Sequence, residues 1–288
     1  MSRGVWKLGL SSALVVGALF LVALVSRPGT GAGPCAVARG PVMLPELPEA
    51  SGLAISRRTT GLLWSHNDSG NATVLFALDT SGKVRGRIRL PVLTRDWEDV
   101  SAANCTTGSC LYIADIGDNA LARPRIQIYR VPEPSPDEKE TVRPEVFRAA
   151  YADGPHNAEA MFVIGADLFI VTRDRTGGVY KATATVPARQ DLTFHRIGQL
   201  GLAAVTDAEA SPDETSVVVR TSDEAVLYRT ADVRRGALVP YRRIPLDGLR
   251  ELQGEGVALG GHTLYLASEG WQFNRAGRLL ELHCSWSE

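Results

Sequence analysis

The chain has 288 residues, 44% of them apolar, with 31 basic against 32 acidic side chains and a net charge of −1. So even a balance excludes the basic footprint of a nucleic-acid binder and offers nothing to a polyanion. The length beyond an N-terminal leader suffices for one all-β domain. Lysine stands only at positions 7, 83, 139 and 181. With heavy use of arginine, alanine, glycine and valine, this points to a GC-rich bacterial genome.

Arg3 and Lys7 precede an apolar run from Leu8 to Val25. A positive flank before such a run is an export signal or a signal anchor. The run is long for a signal and barely enough to span a bilayer. No Ala-x-Ala site follows closely, and Cys35 after Ala32-Gly33-Pro34 makes a poor lipoprotein box. An uncleaved membrane anchor through residues 8–25 is preferred over a cleaved signal peptide; on either reading the domain is extracytoplasmic. The sequence therefore divides into a leader over 1–26, a Gly/Pro-rich tether over 27–36 and one domain over 37–288.

That domain is organised by a repeat. Glu49 opens Glu-Ala-Ser-Gly-Leu-Ala, and later copies open at Glu98, Glu159, Glu209 and Glu255, separated by 49, 61, 50 and 46 residues. Behind each glutamate come an apolar run, a turn and a second run. The second runs are Leu62 to Asp68, Leu111 to Asp115, Leu168 to Asp174, Val217 to Asp223 and Leu264 to Glu269. A third run and a more polar fourth follow in most copies. Short β-branched and aromatic runs bounded by Gly, Asp, Asn and Ser predict strands. Four antiparallel strands per unit of about 40–50 residues predict a β-propeller.

The last unit lacks a fourth strand, and Val37 to Leu44 resembles the missing one. If it pairs with the last blade, the ring closes without an open sheet edge. The prediction is a five-bladed propeller, with a six-bladed ring as the alternative, preceded by an N-terminal hydrophobic helix. The charged, Pro-rich stretch Pro132 to Glu140 reads as a solvated loop far from the axis. Four cysteines in an exported chain predict two disulfides. Cys105 and Cys110 flank one predicted turn. Cys35 and Cys284 sit on the two strands that ring closure makes neighbours, a loop whose cross-link removes unfolded-state entropy of order 4–5 kcal/mol.

Where the first strand begins and the second ends, the two share one mouth of the channel. This puts Glu49, Glu98, Glu159, Glu209 and Glu255 beside Asp68, Asp115, Asp174, Asp223 and Glu269, with Asp99, Asp118 and Asp207 nearby. Such a carboxylate ring suits Ca²⁺ or another divalent cation, which takes six to eight oxygen ligands. It equally suits inter-blade fastening by Arg173, Arg220 and backbone amides, because buried charges need partners. A cationic or sugar ligand is the third reading, and Trp271 could line its groove.

The densest motif is Ala114-Asp115-Ile116-Gly117-Asp118-Asn119. With His66-Asn67-Asp68 and Trp97-Glu98-Asp99 it names the candidates: His66 as general base, and Asp68, Glu98, Asp115 and Asp118 as metal ligands, with His66, Asp68, Asp115 and Asp118 near any reaction centre. No Gly-x-Ser-x-Gly, Cys-x-x-Cys, His-Glu-x-x-His or phosphate loop is present.

Glu49 to Ala54, Trp64 to Gly70, Asp96 to Val100 and Tyr112 to Asn119 resemble a group of exported bacterial β-propeller proteins that carries no agreed activity. More distantly the chain is similar to NHL, gluconolactonase-like and phytase-esterase-like propellers. Some of these, like the five-bladed Ca²⁺-dependent apyrases, hold a metal in the channel. The resemblance implies a fold and a compartment; no ligand set transfers residue by residue. The sequence thus predicts a monomeric, exported or membrane-anchored propeller that binds a small-molecule or protein ligand at an acidic mouth with Ca²⁺. A metal-dependent hydrolase of an ester, lactone or phosphoester is the alternative. It names no substrate.

Overall fold

The structure, a computed structural model, describes residue 1 and residues 34–106, 108–184, 191–270 and 275–286. Two compact units divide the chain, Met1–Thr30 and Gly31–Glu288, and all described residues but Met1 belong to the second. The expected leader over 1–26, its hydrophobic helix and the apolar run over 8–25 lie outside the described residues. Among the described residues no helix is long and apolar enough to cross a membrane.

Strands dominate. They are β1 (Cys35–Leu44), β2 (Ala50–Ile55), β3 (Leu62–Asn67), β4 (Val74–Asp79), β5 (Val84–Arg89), β6 (Asp99–Cys105), β7 (Gly108–Asp115), β8 (Ile126–Pro132), β9 (Glu145–Tyr151) and β10 (Ala158–Ile164). They continue with β11 (Asp167–Thr172), β12 (Gly178–Thr183), β13 (Leu192–Gln199), β14 (Asp207–Ala210), β15 (Ser216–Arg220), β16 (Glu224–Arg229), β17 (Pro240–Pro245), β18 (Gln253–Gly260), β19 (Thr263–Glu269) and β20 (Gly277–Cys284). One short helix, α1 (Thr230–Arg234), caps the β16–β17 connection.

Consecutive strands pair antiparallel as four-stranded meanders: β2 to β5, β6 to β9, β10 to β13 and β14 to β17. The first strand of each is buried along almost its whole length, as in β10. The last alternates exposed and buried residues, as in β5, the pattern of a sheet with one wet face. Strands β2, β6, β10, β14 and β18 contact one another in cyclic order. The core lies between sheets: Tyr112, Phe147, Met161 and Ile170 fill one such layer, and Phe162, Phe169, Val217 and Val226 the next. Sheets packed face to face around an axis are the architecture of a β-propeller.

The last sheet runs β1-β20-β19-β18, so its outer strand comes from the N-terminal end. Cys35 faces Cys284 in the β1–β20 register, and the two form a disulfide across 249 residues of chain. A second disulfide joins Cys105 to Cys110. Because β1 begins at Cys35, residues 35 and 36 belong to the strand and not to the tether.

Two features depart from the expected pattern. Outer strands β9 and β13 pair in parallel, Leu192 against Ala149 and Phe194 against Tyr151, which fuses two meanders into one eight-stranded sheet. The Pro132-to-Glu140 stretch is a solvated excursion only in part: Asp137 to Glu140 are exposed, while Glu133 and Pro134 are buried. It docks on the neighbouring meander, where Lys139 O accepts from Arg89 N at 2.8 Å and a Cβ at Gly86 would meet Pro136 O at 2.1 Å. Glu133, buried within it, accepts from Trp64 Nε1 at 2.8 Å, from Arg57 N at 3.2 Å and from Ser56 Oγ. Leu-Trp-Ser in β3 thus finds its polar partner in a loop of another sheet.

Replacing Glu133 by alanine leaves those three donors without their acceptor. An orphaned buried donor costs roughly 1–3 kcal/mol, so Glu133→Ala is expected to lower unfolding stability by at least about 3 kcal/mol in urea. A loss well under that would show that the loop is not a structural clasp.

Candidate functional site

The channel mouth holds a cavity of about 290 Å³, lined by Ser51, Asp68, Asp96, Glu98, Glu159, Arg173, Gln253, Glu255 and Glu269, among others. Its walls come from the starts of β2, β6, β10 and β18 and from the ends of β3, β11 and β19. Asp68, Asp96 and Glu98 each offer a carboxylate oxygen, and these oxygens all lie within 4.8 Å of one another. Oxygens about 2.4 Å from a common centre span up to about 4.8 Å, the spacing around Ca²⁺.

Two neighbouring loops build this cluster. Asp115, at the end of β7, accepts from Arg95 N at 3.1 Å and from Asp96 N at 2.9 Å. It is ion-paired to buried Arg123 at 2.9 Å. Gly117 N donates to Asp96 O at 3.0 Å. A Cβ on Gly117 would stand 2.1 Å from Glu98 Oε1 and 2.5 Å from Asp96 Oδ2; only glycine leaves both carboxylates their place. Asp118 accepts from Ala122 N at 2.9 Å and Arg123 N at 2.7 Å. The proposed ligand roles of Asp115 and Asp118 are therefore corrected: their oxygens hold the loop that positions Asp96 and Glu98. Asp96 was not among the sequence candidates. A signal for it existed in Asp115-Ile116-Gly117, since a glycine there implies close approach by another chain segment.

Glu98 is 7% exposed, faces the cavity, and among the described residues its carboxylate accepts no hydrogen bond and forms no ion pair. Burial, then the charges of Asp68, Asp96 and Glu255, push its carboxyl well above the usual range. Burial also raises Asp68 and Glu255. The five repeat glutamates are not equivalent. Glu159 and Glu255 are the extra residues of β-bulges opposite Thr172–Val171 and Ser268–Ala267, and bulges re-aim side chains. Glu159 pairs with Arg173, and Glu255 accepts from Gln253 Nε2 at 2.6 Å. Glu49 stays outside the cavity, held by Asn71. Glu209 sits within regular β14, deeper in the channel, and accepts from Ala102 N at 3.0 Å and from Ser101 Oγ.

Other candidates serve the scaffold. Arg220 is fully buried, donates to Gly256 O at 2.6 Å and Ala267 O at 3.0 Å and pairs with Glu251; it fastens β15 to the last sheet and does not reach the mouth. His66 is fully buried, its ring tilted against Trp97 with centroids 4.2 Å apart, and its Nδ1 lies 2.9 Å from Asn67 O. Burial lowers its pKa to about 4. It does not line the cavity, so it is not placed as a general base there. Asp174 and Asp223 are exposed. Trp271 lies outside the described residues.

Below the mouth, Asp99 and Asp207 are fully buried, close enough for each to act on the other's carboxyl. Asp99 Oδ2 accepts from Met161 N at 2.7 Å, and Asp207 from Ala208 N at 2.7 Å and from Val257 N. Burial raises both carboxyls, and the neighbouring Asp207 adds to the rise of Asp99. Arg57 closes the stack from below, donating to Ala102 O at 2.9 Å and Pro212 O at 2.8 Å.

No family model matches the sequence, and no curated protein does. Among solved structures the chain is similar to the major allergen Mala s 1 of Malassezia sympodialis, at 10% identity and a TM-score of 0.51 over 84% of this chain and 94% of that one. A gluconolactonase from Xanthomonas campestris matches at 11% identity and 0.45 over 82% and 72%. A nidogen/laminin complex matches at 14% and 0.43 over 76% and 72%. The first likeness is one of fold alone, and the two lower scores carry no argument.

A methyl at Gly117 displaces two carboxylates, so Gly117→Ala is expected to cost about 1–3 kcal/mol in urea unfolding; a neutral result would show that the loop yields. Stability should also depend on pH. Burial raises Glu209 to about 8, far above its unfolded value of about 4.3. The native state therefore binds protons more tightly. That stabilisation is full below the unfolded pKa and is lost as pH rises through the folded one. The melting temperature in chelator should fall between about pH 5 and pH 8, and Glu209→Gln should flatten the fall. A melting temperature that rises over this range would contradict the assignment.

Proposed function

We propose that the chain is an exported five-bladed β-propeller whose channel mouth binds a divalent cation, Ca²⁺, through Asp68, Asp96 and Glu98 and presents it to a ligand. The observation that carries this reading is Glu98. A carboxylate more than nine-tenths buried, without a partner among the described residues and facing two more carboxylates, is costly unless a proton or a cation neutralises it. Every donor in the cluster is a carboxylate oxygen, which suits a hard cation and not a soft one. Three protein oxygens leave coordination positions open towards the cavity, where a ligand could supply the rest. The closed ring of inner strands supports five blades, and two disulfides support an oxidising, extracytoplasmic compartment. With His66 outside the cavity, binding is better supported than hydrolysis.

The reading is tested by thermal unfolding of the full chain with EDTA and then with Ca²⁺. Ca²⁺ at a hundredfold excess over Kd should stabilise by about 2.7 kcal/mol, and Glu98→Gln should abolish the response. The response should also weaken on acidification, because protons compete for the raised carboxyls of Glu98 and Asp68. No response to Ca²⁺, Mg²⁺ or Mn²⁺ would remove the cation site.

A further inference from the structure

Among the described residues that line the mouth, one is basic: Arg173 faces Asp68, Asp96, Glu98, Glu159, Glu255 and Glu269. Its backbone is fixed, since Arg173 N donates to Asn157 O at 3.0 Å just beyond the β10–β11 pairing. Its guanidinium pairs with Glu159, the bulge residue of β10 that is aimed into the cavity. It also lies close enough to Glu98 and Glu255 to oppose the rise that burial forces on both. One cation therefore serves carboxylates on or beside three inner strands, β6, β10 and β18.

Arg173 is not locked in place. Its side chain is 35% exposed, against 9% for the Glu159 side chain. Arg220 shows the contrast: fully buried, bonded to two carbonyls and to Glu251, with a Cβ at Gly254 excluded by its guanidinium at 1.9 Å. Arg220 is built to stay. Arg173 has one ion pair and a route to solvent.

Building on the cation site proposed above, we infer that Arg173 is a tethered counter-ion that competes with the metal for the mouth. In the metal-free protein its guanidinium offsets the crowded carboxylates. A divalent cation at Asp68, Asp96 and Glu98 makes that charge redundant and repels it, so the side chain swings outward. Arg173 then sets how tightly the site holds its ion, and by leaving it opens the cavity wall on the β10 side to a ligand.

The test is calorimetric titration of Ca²⁺ into the full chain, with melting temperatures in EDTA and in saturating Ca²⁺. Arg173→Gln should bind Ca²⁺ about tenfold more tightly than the natural chain, a gain of about 1.4 kcal/mol, and Arg173→Lys should restore the natural affinity. The Gln variant should melt lower in EDTA and match the natural chain in saturating Ca²⁺. A purely structural arginine would lower both melting temperatures and leave affinity unchanged. If Arg173→Gln does not fold, Arg173→Met keeps the volume of the stem without the charge and is read in the same way. Equal or weaker Ca²⁺ binding in these variants, with the natural chain binding normally, overturns the counter-ion role alone. Silence from the natural chain with binding in the Gln variant supports it. Silence from both removes the cation site and the counter-ion together.

Discussion

A ring of sheets has a constraint that a stack lacks: the last sheet must meet the first. Here the chain satisfies it by lending its N-terminal strand β1 to the sheet of β18 to β20. The disulfide between Cys35 and Cys284 then makes the closure covalent. Every other placement depends on this. The inner strands can converge on one axis only when the layers between the sheets are filled, and the layer between the last and first sheets includes Leu44 and Leu279 from the two closing strands as well as Leu53, Leu63 and Phe76.

Convergence on an axis brings like charges together. The chain handles its axial carboxylates in three ways, by depth. Deepest, Glu209 is bound by a backbone amide and a hydroxyl above the Arg57 plug. At mid-channel, the buried pair Asp99 and Asp207 takes amides from β10 and β18. At the mouth, Glu98 has none of these partners, and its neighbours are the two other carboxylates of the cluster. The contrast in partners, more than the number of acids, separates fastening from binding.

Much of the scaffold was legible because buried strands must be apolar along their length and turns need Gly, Asp and Asn. The closing strand and both cysteine pairings followed from that order. The site was only half legible. Glutamates that align by sequence fell into different roles because bulges at Glu159 and Glu255 add one residue that spacing cannot reveal. Asp115 and Asp118 carried the strongest local motif, yet a motif that binds its own backbone spends its oxygens there. Asp96, which those residues position, stood just before the Trp-Glu-Asp run. Glu133 was misread as solvated because its partners, Ser56, Arg57 and Trp64, are about 70 to 80 residues away in sequence and no local pattern links them.

The pairing of Cys35 with Cys284 has a topological consequence. With the first and last strands of the ring cross-linked side by side, the point at which the chain is cut becomes arbitrary. A short peptide joining the two strands could replace the disulfide, and new ends could open at a surface turn such as Gly201 or Gly236, both exposed and at positive φ. Termini that lie close together are what make such circular permutation tolerable. The ring specifies which sheets are neighbours; it leaves open which of them is synthesised first.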